Sequence, residues 1–119
     1  MSQIMYRSSY AETLHDAPKD ARERERLAIQ RAIELLRQAQ IKGPRSREAI
    51  EALLYMRRLW SVLIEDLASP ENDLPKSLRA DLISIGLWVM REAEQIRLEK
   101  SDNFRGLIEI TEAIAEGLR

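Results

Sequence analysis

The chain has 119 residues, with hydrophobic types at 45% and charged types at 33%, so it reads as one globular domain rather than a disordered polyelectrolyte. Nineteen Lys and Arg nearly balance twenty Asp and Glu, leaving a formal net charge of -1, so a nucleic-acid or anionic-lipid role would need a local basic patch. Cysteine is absent, which excludes disulfides, thiolate nucleophiles and Cys-ligated zinc, and no apolar run approaches the roughly 18 residues of a membrane span. The expectation is a soluble, non-exported, cytoplasmic protein.

Residues 1–15 mix small polar groups with Tyr6 and Tyr10 and carry no helical stripe, so they read as an N-terminal arm preceding a helical domain over 16–119. Asp16-Ala17-Pro18 offers a capping carboxylate followed by a proline in the first turn, where its missing N–H costs nothing. Ala28, Ile29, Ala32, Ile33, Leu35, Leu36 and Ala39 then recur at three and four, and charges before them can pair along one side, as Asp20 with Arg24. Gly43-Pro44 stops this first helix, predicted over about 17–41.

Ser46 caps a second helix, with Glu48 at the positive end of its dipole. Ile50, Leu53, Leu54, Trp60, Leu63, Ile64 and Leu67 follow the helical period, but the stripe also passes through Arg57. That arginine either snorkels along the core edge or anchors a hydrogen bond at the rim of a groove.

Ser69-Pro70-Glu71-Asn72 is turn chemistry, and Asp73-Leu74-Pro75 repeats the Asp-x-Pro start seen at Asp16. A third helix follows, with Leu78, Leu82, Ile85, Val89, Ala93 and Ile96 in one stripe and Ile83, Leu87, Trp88 and Met90 flanking it. Being apolar on more than one side, it is either the central helix or offers a face to something else. Gly86 inside it costs about 1 kcal/mol against alanine, so a neighbouring helix or an inserted side chain should approach there. Ser101 or Asp102 opens a fourth helix through Phe104, Leu107, Ile108, Thr111, Ile114 and Ala115, fading at Gly117. Short connections make neighbours antiparallel, so the predicted fold is all-α, an antiparallel four-helix bundle with a short N-terminal arm.

Catalytic equipment is scarce. The single histidine, His15, sits in the arm; no Glu-x-x-His motif suits a di-metal bundle, and the four glycines are too scattered to cradle a phosphate. Neither an enzyme nor a cofactor or metal site is expected. Arg57 and Arg58 adjoin Tyr55 and Trp60, an arrangement that can stack bases, but Glu51, Glu65 and Asp66 dilute its positive field and weigh against nucleic acid. Trp60 and Trp88, with Met56 and Met90 nearby, either fill the core or build an adaptable groove for an amphipathic partner helix.

Several motifs occur in order: R-x-L-W ending at Trp60, Asp66-Leu67, P-E-N-x-L-P over Pro70 to Pro75, L-R-A-x-L-x-S-x-G-L over Leu78 to Leu87, and I-A-x-G-L-R over Ile114 to Arg119. Together they resemble the FlaF family of flagellar biosynthesis regulators over most of residues 18–119, and the Tyr-containing arm is similar as well. Met56 stands where the family often has asparagine, so any polar contact of that asparagine does not carry over.

The resemblance implies a small non-enzymatic protein of flagellin production or secretion, working beside an FlbT-like regulator. It also implies a role similar to flagellin-binding export chaperones. The expected partner surface comprises Met56, Arg57, Leu59, Trp60, Leu87 and Trp88 in a groove lined by the second and third helices, with Tyr6 and Tyr10 on the arm as additional contacts. Two rival readings are post-transcriptional control through RNA or an FlbT-like partner, and an apolar face that closes a homodimer of an otherwise monomeric chain.

Overall fold

The computed structural model describes residues 18–117, with side chains from Glu23 onward. The expected arm, Tyr6, Tyr10, His15 and the Asp16 cap lie outside the described residues, as does the side chain of Asp20. Four helices run in order: α1 (Pro18–Lys42), α2 (Arg47–Ala68), α3 (Lys76–Arg97) and α4 (Phe104–Gly117). They form the all-α bundle that the periodicity predicts.

The first turn follows its sequence signals closely. Gly43 adopts φ 101°, a left-handed conformation that glycine enters without steric cost, and its N–H donates to Ala39 O at 2.8 Å. Ser46 Oγ accepts from Ala49 N–H at 3.0 Å and donates to Gly43 O at 2.7 Å, capping α2 while bracing the turn.

The next two junctions differ from expectation. Asp73 does not cap α3, because Pro75 occupies the cap position and no side chain caps there. Asn72 organises the turn instead: its Oδ1 accepts from Leu74 N–H at 3.0 Å and its Nδ2 donates to Asp66 O at 3.1 Å. An amide can serve a turn N–H and a helix carbonyl together, whereas a carboxylate can only accept. α3 then ends through Glu99 at φ 61°, with Lys100 N–H reaching Gln95 O at 2.8 Å, the wide bond of a Schellman ending built without glycine. α4 is capped by Asn103 rather than by Ser101 or Asp102: its Oδ1 accepts from Gly106 N–H at 3.0 Å, while Ser101 Oγ accepts from Asn103 N–H at 3.1 Å.

The helices alternate in direction. An ion pair of 2.7 Å between Arg45 and Glu99 joins the α1–α2 turn to the α3–α4 turn, which places both at one end of the bundle. Tyr55 on α2 donates to Ala28 O on α1 at 3.1 Å, and Arg37 on α1 pairs with Glu112 on α4. The core takes residues from every helix, among them Leu36, Met56, Trp60, Val89, Ile96, Phe104 and Leu107. Burying such side chains contributes roughly 1.5–3 kcal/mol each, before chain entropy is set against it. Buried Thr111 satisfies its hydroxyl on Leu107 O at 2.6 Å.

The four seams are unequal. α1 packs extensively on α2 and α4, and α2 on α3, but α3 and α4 barely touch. α4 is also the short member, with 14 residues against 22 for α3, or about 21 Å against about 33 Å of helix. The bundle is therefore closed on three sides and open on the fourth.

Candidate binding groove

The open side begins with two faces of α3. Gly86, Val89, Ala93 and Ile96 are buried and form its inner face. Leu78, Asp81, Ile85, Trp88 and Glu92, at steps of three and four, lie on the side turned towards α4. Ile85 and Trp88 from α3, with Asn103, Gly106, Glu109 and Ile110 from α4, line a groove of about 620 Å³. At its upper end Asn103 Nδ2 donates to Glu92 Oε2 at 2.8 Å, so the residue that caps α4 also ties it to α3. Below that bond the walls are mainly apolar, and Trp88 stays 40% exposed.

The seam between α2 and α3, where the sequence reading places its groove, is filled. Trp60 is 2% exposed and lies on Gly86 so closely that a Cβ there would sit 2.4 Å from Cε3 of the indole and 3.0 Å from Cδ1 of Ile64. This is the inserted side chain that the mid-helix glycine foretells. It also corrects two site expectations, since Trp60 and the fully buried Met56 are core residues with no surface to offer a partner. The Trp60 Nε1–H finds no acceptor among the described residues.

The remaining expected residues scatter. Leu59 is half-buried and packs against the core. Arg57 is exposed on the α3 side of α2, near Glu94. The Glu94 carboxyl is held below the ordinary carboxylate range, first by the hydrogen bond from Arg97, with the charges of Arg97 and Arg57 adding to it against some desolvation. Leu87 is half exposed, but successive helical residues diverge by about 100°, so it lies on the α2 edge of α3 while Trp88 faces the groove. Of the eight expected residues Trp88 alone lines it; Tyr6 and Tyr10 lie outside the described residues.

Sequence reasoning missed Asn103, Gly106, Glu109 and Ile110, which cap or belong to a helix read as plain core packing. The available signal was Gly106, whose missing side chain leaves room for that of Asn103. A second, polar depression lies between the two turns at the same end, lined by Pro44, Arg45, Glu99, Ser101 and Asp102, and the Arg45–Glu99 pair bridges it. Among the described residues no group of three or more His, Cys, Asp or Glu is placed to hold a metal ion, and no helix is long and apolar enough to cross a membrane.

No curated protein and no solved structure matches the chain. One family model, described as flagellar protein FlaF, matches residues 6–118, which spans nearly all of the sequence together with the groove and every helix that builds it. The chain belongs to the FlaF family of flagellar proteins.

Proposed function

We propose that this FlaF-family chain is a non-enzymatic, cytoplasmic flagellin-binding chaperone or adaptor for flagellin synthesis and secretion, and that the α3–α4 groove is its binding surface. One observation carries the reading: a bundle that packs three seams tightly leaves the fourth open, with a tryptophan half out of its wall. An apolar slot of this kind suits the apolar face of a helix, and covering such a face on an unassembled subunit would delay polymerisation until export. An FlbT-like regulator is the natural counterpart for the control of synthesis. The rival RNA reading rests on Arg57 and Arg58, both exposed on α2.

Calorimetric titration of the purified chain with flagellin monomer tests the proposal. A complex at micromolar concentration that tolerates moderate salt supports it, since an apolar groove releases few counterions. Absence of heat and of co-elution at tens of micromolar would sink it, and RNA binding that weakens steeply with salt would put the rival in its place.

A further inference from the structure

The outer face of α3 has the spacing of a helix-packing seam. Leu78, Asp81, Ile85, Trp88 and Glu92 follow steps of three, four, three and four, the alternation that presents one line of residues to a neighbouring helix along its whole length. Among the described residues that line is only partly covered: Asn103 meets Glu92 and Ile85 packs against the core, but α4 barely touches α3 and runs about 12 Å shorter, and Leu78 and Trp88 are each at least 40% exposed. A sequence that needed α3 only for the inner core would not repeat apolar groups on this side.

Charge narrows the occupant. Asp81 is exposed and makes no ion pair among the described residues. Glu92 accepts from the Asn103 amide and makes no ion pair among the described residues. Glu109 across the groove has Arg105 at 3.3 Å. Both charged members of the α3 line, Asp81 and Glu92, are acidic, and so is Glu109, the charged residue of the groove lining. A helix seated here would have to leave Asp81 and Glu92 facing its own side chains, which disfavours acidic partners and favours basic ones.

We infer that the groove takes a basic amphipathic helix from a partner protein. Its aliphatic seam seats on Ile85, Trp88 and Ile110, and two lysines or arginines about eleven residues apart, roughly 16 Å along the axis, meet Asp81 and Glu92. The inference rests on the chaperone reading for the source of that helix, and on the groove alone for its chemistry.

The test uses two synthetic helical peptides with the same leucine seam, one with lysine and one with glutamate at the two positions eleven apart, titrated calorimetrically into the full chain. The lysine peptide should bind at least about tenfold more tightly, and Asp81→Lys should shrink or invert that preference while Trp88→Ala weakens both peptides. Circular dichroism confirms that each variant is folded. Equal affinities, or binding indifferent to Trp88→Ala, would overturn the inference. So would self-association of the chain that Trp88→Ala abolishes, or displacement of the lysine peptide by a peptide of residues 1–17, which would give the groove to a second copy or to the chain's own N-terminal segment. The two proposals fail separately. Flagellin that does not bind while the lysine peptide does removes the flagellin reading alone; flagellin that needs Trp88 but binds regardless of Asp81→Lys, with the two peptides binding equally, removes the charge inference alone.

Discussion

The two tryptophans sit on opposite sides of one helix seam pattern and do opposite things. Trp60 belongs to α2 and fills the α2–α3 seam over Gly86, so tightly that the glycine has no room for a methyl group. Trp88 belongs to α3 and looks across a seam where the facing helix stands back, leaving the residue 40% exposed against 2% for Trp60. Helical periodicity puts Trp60 on the stripe of its helix and Trp88 beside the stripe of its own, without saying which neighbour covers either. Their difference comes from the partner wall, which is a glycine at contact distance in one case and a thin helix held by the Asn103–Glu92 bond in the other.

The sharpest way to break that comparison is truncation of each ring. Trp60→Ala should cost about 3–5 kcal/mol by leaving a core cavity, and Trp88→Ala about 1–2 kcal/mol, because much of its area is already in water; urea unfolding measures both, and equal losses would contradict the assignment. Next come the glycines. Gly86→Ala gains about 1 kcal/mol of helix propensity but must push aside a rigid indole, for a net loss of roughly 1–2 kcal/mol. Gly106→Ala meets the end of the Asn103 side chain at 2.4 Å, which can swing away. The lost cap and the lost bond to Glu92 then outweigh the gained propensity, for a net loss of about 1 kcal/mol.

The smallest effect is a pH dependence confined to the closed side. Burial holds the Tyr55 phenol above its usual range, opposed by the charge of Arg31, and the hydroxyl donates to Ala28 O. A pKa raised on folding contributes stability that is complete below the unfolded tyrosine value near ~10 and is lost as pH rises through the folded value. Thermal melts above that pH should therefore fall more steeply for the native chain than for Tyr55→Phe. Glu94 has the opposite sign: its lowered pKa contributes above the unfolded carboxylate value and is lost as pH falls through the folded one.

Much of the fold was legible because the decisive signals were local. Gly43-Pro44 and Ser46 mark a helix end and a helix start by backbone chemistry that needs no tertiary partner, and Gly86 announced a close approach. Asp73, Ser101 and Asp102 misled because several residues near each junction can cap, and the choice falls to whichever also satisfies a neighbour: Asn72 serves the end of α2, and Asn103 serves Glu92. Glu99 at positive φ gave no warning, since side-chain identity does not mark a left-handed residue outside glycine and asparagine. The periodicity points to the α2–α3 seam while the open seam is α3–α4, because a stripe on α3 says that a face is apolar without saying which neighbouring helix stands back from it. The family resemblance rested on the order of motifs along the chain and did not depend on that placement.

The central claim is that Trp88, not Trp60, meets the partner. The chain has two indole N–H groups, so a nitrogen-labelled sample gives one resonance for each, assignable by Trp88→Phe. On addition of flagellin monomer the Trp88 indole signal should shift or broaden while the Trp60 signal keeps its position; a complex that forms with the Trp88 signal unmoved would contradict the account.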